Sequence, residues 1–178
     1  MRRSLPKFLF FLILVSACST DSAAQAGKKS QLASVSQTVA DAKIEIVYRR
    51  PVARGRALFG SLVEWGKIWT PSADSAALLT TSTDLLVEGS KLPAGQYGIW
   101  MIPDQQEWTV VFTSKPAFHL MLPKPADEVL RVKAKSHAAE HMESLGFYFP
   151  MVDSDSAVLN MHWGKTVVPL SIRSRTKG

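Results

Sequence analysis

The chain has one cysteine in 178 residues. That excludes an internal disulfide framework and any zinc ribbon built on several cysteines. Charge is also scarce. Only 20% of residues are Asp, Glu, Lys or Arg, and of the net charge of +6, Arg2, Arg3 and Lys7 supply three units before any acid occurs. The mild remainder gives no basis for nucleic-acid binding on charge alone. No apolar run is long enough to cross a bilayer. The longest near the N-terminus, Phe8–Val15, has 8 residues, roughly 12 Å as a helix against a hydrocarbon core of about 30 Å. Several catalytic signatures are missing too. There is no G-x-S-x-G nucleophile elbow, no phosphate-cradling glycine loop, and no carboxylate pair that stands out as a glycosidase acid and base. No cofactor is expected.

What the N-terminus does have is an address. A basic segment (Arg2, Arg3, Lys7) precedes the short apolar run, and the small residues Ser16 and Ala17 lead to Cys18. This is the layout of a secretory signal. Leu14-Val15-Ser16-Ala17-Cys18 resembles the bacterial lipobox, in which the cysteine thiol receives a diacylglyceryl group and the signal is cut just before it. The alternative is an ordinary signal peptide cut near Ala24 or Ala26, with Cys18 discarded. The lipidated form would be held in the membrane by its acyl chains, at about 0.8 kcal/mol per buried methylene. Ser19, where an Asp commonly favours inner-membrane retention, points to the outer membrane facing the periplasm. The expected organisation is a signal over residues 1–17, a small polar tether over 18–33, one domain over 34–173 and a disordered tail over 174–178.

From Ser34 onward apolar residues alternate in short runs broken by turns, the pattern of half-buried strands. Lys43–Tyr48 sets Ile44, Ile46 and Tyr48 on one face. Gln96–Ile102 and Glu107–Thr113 flank Pro103-Asp104-Gln105-Gln106 as a hairpin. Phe147–Val152 and Ala157–Trp163 suggest a second one, after which Gly164-Lys165 is expected to turn the chain into Thr166–Ile172. Trp108 and Val110 share one face of their strand, and Thr109 and Val111 share the other. Both faces carry an apolar residue, so this strand is expected to be central, covered on both sides or bulged. In all, about nine short strands imply an all-β, single-domain antiparallel β-sandwich or barrel-like jelly roll. One or two short helices are expected, at His137–Leu145 and, for a turn or two, within Leu58–Trp69.

A series of short motifs then occurs in order: Tyr48-Arg49-Arg50-Pro51, Gly55-Arg56, Phe59-Gly60, Leu62-Val63, Gly66-Lys67-Ile68-Trp69, Leu92-Pro93-Ala94-Gly95-Gln96-Tyr97, Ile102-Pro103 and Glu107-Trp108-Thr109-Val110. Trp163-Gly164-Lys165-Thr166 and Val168-Pro169-Leu170 complete it. Over about Ser34–Ile172 the sequence resembles the bacterial domain of unknown function 2911 family. The resemblance implies an exported all-β domain and supplies no reaction. The family pattern usually continues after the tryptophan with Arg and then Thr-Gly-Ala-Asn-Glu-Ala. Here Thr70 and Ser75 stand where the Arg and the Glu would be.

Three constellations bear on chemistry. His137-Ala138-Ala139-Glu140-His141 reads as H-x-x-E-H. On a helix, His137 and His141 could share a zinc, with Glu143 or His162 as a third ligand. An exposed connecting helix is the plainer reading. His162, beside Trp163, reads as a structural histidine with satisfied nitrogens. The most suggestive group is basic and aromatic. Arg49, Arg50, Arg54 and Arg56 fall within eight residues, followed by Trp65, Lys67 and Trp69. Arginine forks suit carboxylates and phosphates, and indole faces stack on sugars or cations. Arg50, Arg54, Arg56, Trp65, Lys67 and Trp69 are therefore candidate ligand-binding residues for an anionic lipid or glycan. Against this stands a solvated arginine loop over two tryptophan core anchors. The function expected is a lipid-anchored envelope protein that binds or scaffolds without catalysis. The alternatives are an envelope hydrolase whose site is assembled from distant loops, and an assembly partner using an open sheet edge.

Overall fold

The computed structural model describes residues 29–114 and 121–174. Cys18, the signal, most of the tether and the last four residues lie outside them. The described chain is all-β. Ten strands run in order: β1 (Gln31–Val39), β2 (Ala42–Arg50), β3 (Ala77–Thr81), β4 (Leu85–Val87), β5 (Ser90–Leu92), β6 (Gly95–Ile102), β7 (Glu107–Thr113), β8 (Glu128–Lys135), β9 (His137–Val152) and β10 (Ser156–Ser174). A six-stranded sheet, β1-β2-β3-β6-β7-β8, packs on a four-stranded sheet, β5-β4-β10-β9, and every strand pair is antiparallel. This is a β-sandwich. The only helical element among the described residues is a 3-10 turn at Pro125–Asp127. No helix there is long and apolar enough to cross a membrane.

The alternation read from the sequence sets the core. In β2, Ala42, Ile44, Ile46 and Tyr48 are buried, with Lys43 exposed between them. They meet Leu145, Phe147, Leu159, Met161, Trp163, Leu170 and Ile172 in one continuous apolar cluster between the sheets. β7 is flanked by β6 and β8 and is buried on both faces. Trp108, Val110 and Phe112 join the main core, while Val111 packs with Ala76, Trp100 and Ile68 in a small cluster of its own.

Both expected helices are absent. His137–Leu145 is not a helix but the first part of the sixteen-residue strand β9. Its partner β10 supplies a ladder of backbone bonds that outweighs the helix preference of Ala138-Ala139. Gly164-Lys165 turns the chain as expected: Gly164 has φ +57°, and Ser174 N–H bonds Asp155 O at 2.8 Å, so β10 bends back midway and its two ends meet. A Cβ on Gly164 would lie 2.7 Å from the Leu58 side chain, which explains why no larger residue sits there. Leu58–Trp69 is a chain of tight turns rather than a helix. β1 begins at Gln31, inside the stretch read as tether, and β10 extends to Ser174.

Residues 51–76 link β2 to β3 as an irregular excursion that is tied down at several points. Val52 bridges to Ser144, and Leu145 N–H bonds Pro51 O at 2.9 Å, so the start of the segment lies along β9. Trp69 and Met101 exchange two backbone bonds of 2.8 and 2.6 Å, which extends the line of β3 along β6. Thr70 is buried between them. Its hydroxyl donates to Ile99 O at 3.0 Å and accepts from Ala77 N–H at 3.1 Å. The Thr70 departure thus has a structural role, since it pins the two ends of the 71–76 excursion together.

Candidate functional site

A cavity of about 440 Å³ opens where this excursion meets the sandwich. Its lining includes Lys29, Arg54, Arg56, Trp69, Asp74 and Trp163, with Pro51, Leu62 and Val63 as apolar wall and Ser72 among the polar groups. Two indoles dominate the inner surface. Trp69 and Trp163 lie with ring centroids 6.0 Å apart and planes within 10° of parallel. Phe59 stands edge-on to both at 6.1 Å and edge-on to Trp108 at 4.8 Å. Such edge-to-face pairs add roughly 0.5–1.5 kcal/mol each beyond simple burial, so the aromatic floor is stiff. Trp163 is nearly fully buried and its Nε1–H donates to Glu143 O at 3.3 Å, whereas Trp69 is only half-buried.

The basic rim is built by one tight turn. Arg56 N–H bonds Ala53 O at 3.1 Å, and the two residues between them, Arg54 and Gly55, have φ of +53° and +70°. That is the primed form of the type I turn, which favours Gly or Asn at both central positions. Arg54 holds a left-handed conformation that costs an L-residue with a long side chain roughly 1 kcal/mol or more. Glu143 braces it, because its Oε1 accepts the Arg54 N–H at 2.7 Å and its backbone oxygen accepts the Ala53 N–H at 2.8 Å. The His141 ring, 2.9 Å from the same carboxyl, is the main cause that holds Glu143 below the ordinary glutamate range; the Arg54 N–H adds to it. The Arg56 guanidinium spans the turn, with Nε donating to Ala53 O at 2.9 Å and Nη2 to Val52 O at 2.6 Å. The Arg54 guanidinium makes no hydrogen bond to a described residue, and its side chain is exposed on the rim.

The structure divides the six sequence candidates. Arg54, Arg56 and Trp69 line the cavity; Arg50, Trp65 and Lys67 do not. Arg50 clamps β2 to β9, its Nε donating to Leu145 O at 2.9 Å and its Nη2 to Ser144 O at 3.3 Å. Trp65 is 42% exposed; its ring covers Gly60 and tilts against Phe59. Lys67 is exposed on the following turn. Sequence reasoning missed Lys29, Asp74 and Trp163. Trp163 was visible as part of a C-terminal motif, but nothing in the sequence tells that β10 brings it against Trp69.

The weaker zinc alternative relied on a helix that is absent: His137 and His141 lie on β9, so the one-turn spacing that would set both rings on one helix face does not occur. Among the described residues no group of three His, Cys, Asp or Glu side chains could hold a metal. His162 is structural. Its Nε2 faces two carbonyls, Glu140 O at 3.0 Å and Gly164 O at 3.1 Å, so the proton sits on Nε2, and Nδ1 accepts from Tyr148 Oη at 3.3 Å. It ties β9 to β10 beside the bend at Gly164 and is buried.

The class defined by these features is an all-β sandwich with a basic rim over an aromatic floor. A family model described as Protein of unknown function (DUF2911) matches residues 30–172, and the chain belongs to that family. No curated protein and no solved structure matches it.

Proposed function

We propose that this protein is a non-catalytic binding domain of the bacterial cell envelope, anchored by lipid on Cys18 in the outer membrane and facing the periplasm. Its ligand is a small anion with a sugar-like or other flat face, held in the cavity between the 53–56 turn and the stacked tryptophans. The observation that carries this reading is the convergence of Arg54, Arg56 and Lys29 on one opening floored by Trp69 and Trp163. Three cations there face one lining carboxylate, Asp74, so an anion is drawn in. The Arg54 fork suits a carboxylate or phosphate, the Arg56 guanidinium adds charge while held by the Ala53 and Val52 carbonyls, and the half-buried Trp69 indole offers a stacking face. A strained arginine at a position that favours Gly or Asn is what a binding role for its side chain would retain.

The test is tryptophan fluorescence of the lipidated protein in detergent, titrated with glycerol phosphate, a uronic-acid oligosaccharide and a soluble cell-wall muropeptide. Binding to at least one should saturate and weaken as salt rises, since charges beyond about 10 Å are screened at 0.1 M. Arg54→Lys should weaken it about tenfold while keeping the net charge. An absence of saturable, salt-sensitive change with all three probes would overturn the reading.

A further inference from the structure

The cavity lies at the end of the sandwich where the chain comes in. Lys29 and Ser30 are part of its lining, and β1 starts at Gln31. From there β1 runs nine residues away to Val39, about 26 Å at 3.3 Å per step. At the far end the β1–β2 turn meets the β9–β10 turn, where Ser174 Oγ donates to Asp41 Oδ1 at 2.8 Å and Ser174 N–H bonds Asp155 O at 2.8 Å. That end presents Asp41, Asp153 and Asp155, with Arg173 paired to Asp155 at 3.5 Å. Arg175 and Lys177 follow Ser174 in the sequence, so the two ends are told apart by attachment and by the cavity rather than by net charge.

Ten residues lie between Cys18 and Lys29, so eleven Cα–Cα steps join them. Covalent geometry caps their span at roughly 38 Å, about 3.5 Å per residue. If Cys18 carries lipid, the cavity end is the end tied to the bilayer, and its three cations face a surface of phosphates. From this we infer that the cavity takes the phosphate of an anionic lipid headgroup in the leaflet that anchors the protein. The domain is thereby docked end-on, with Arg54 and Arg56 at the headgroup layer and the Asp153–Asp155 turn pointing away. This inference rests on the binding reading above and on acylation of Cys18. It adds the source of the anion and the orientation of the domain.

The test uses the full lipidated chain in vesicles. Acylation blocks the single native thiol, so Leu62→Cys on the cavity rim and Ser154→Cys at the far turn can each carry one fluorophore. Vesicles contain a headgroup nitroxide quencher in phosphatidylcholine, with or without phosphatidylglycerol. The expected result is quenching several-fold stronger at position 62 than at 154, increased by phosphatidylglycerol and reduced when Arg54→Gln is added. Free inorganic phosphate at constant ionic strength should compete and reduce the increment due to phosphatidylglycerol. Equal quenching at both positions, or no response to phosphatidylglycerol and Arg54→Gln, would overturn the inference. If phosphate changes tryptophan fluorescence while phosphatidylglycerol changes nothing, the pocket serves a soluble anion: the inference falls and the binding reading stands. A mass for Cys18 without acyl chains overturns the inference, while fluorescence titration still decides the binding reading.

Discussion

Arg54 links stability to function in a way that one substitution separates. Its φ of +53° sits at the first central position of a primed type I turn, beside Gly55 at +70°. A left-handed conformation costs an L-residue roughly 1–2 kcal/mol, and Asn tolerates it best after Gly. Arg54→Asn keeps the backbone N–H that donates to Glu143 Oε1 and removes a guanidinium that makes no hydrogen bond to a described residue. Only an exposed attraction between the Arg54 charge and the Glu143 carboxylate is lost, so the variant should be more stable by about 0.5–1 kcal/mol. For a domain of this size that is a rise of roughly 2–4 °C in thermal midpoint. Ligand binding should weaken in the same variant. Gly is the poorer choice for the test, because its greater freedom in the unfolded chain offsets part of the gain. Differential scanning calorimetry beside a fluorescence titration measures both quantities on one sample. A midpoint lowered by more than about 2 °C, roughly 0.5 kcal/mol, would refute the reasoning, for it would mean that the Arg54 side chain holds the fold rather than a ligand.

Three further predictions follow from the packing, the titration and the signal. Val110 is fully buried in a strand flanked on both sides, so Val110→Asp should cost roughly 3–5 kcal/mol, read by urea denaturation; a loss below about 1 kcal/mol would place β7 at the periphery. Burial, and secondarily the charge of Asp84, raises the Tyr97 phenol above its ordinary 10.0, while its hydroxyl donates to Pro93 O at 2.9 Å. The unfolded chain therefore loses this proton first, and stability should fall as pH rises from about 10 toward the folded value. Absorbance at alkaline pH should show one tyrosine ionising late, and Tyr97→Phe should remove that late step. Cys18→Ser should abolish acyl labelling and leave an uncleaved or soluble product; unchanged labelling and membrane fractionation would refute lipidation.

Strand positions were legible because their signal is local. The alternation in Lys43–Tyr48 and the hairpin around Pro103–Gln106 depend only on neighbours in sequence, and the structure shows both. The β9 segment was misread because His137–Glu143 carries no clear alternation of apolar and polar residues. Only its partner β10, reached through a long-range ladder, makes it a strand. The site was legible by composition and not by geometry. Arginines within eight residues and nearby tryptophans suggested a cluster, yet which arginine faces the cavity depends on a turn type and on Glu143 from another sheet. Arg50 looks the same as Arg56 in sequence. It was recruited to a clamp on β9 because the β2 strand ends there, beside the Ser144 and Leu145 carbonyls. Trp163 was hidden because a sandwich core alone brings β10 beside the 51–76 excursion.

The most direct test of the cavity as a ligand site uses the five tryptophans of the chain as reporters. Each indole N–H gives its own signal in a nitrogen–proton correlation spectrum of the lipidated protein in detergent micelles. On titration with glycerol phosphate, the account predicts saturable shifts for Trp69 and Trp163, which line the cavity. The Arg54 and Arg56 Nε–H signals should move with them. Trp100, buried in the separate small cluster with Ala76 and Val111, should stay still. Saturable shifts confined to Trp100 or to the far end of the sandwich, or no shift at all up to the highest soluble concentration, would contradict it.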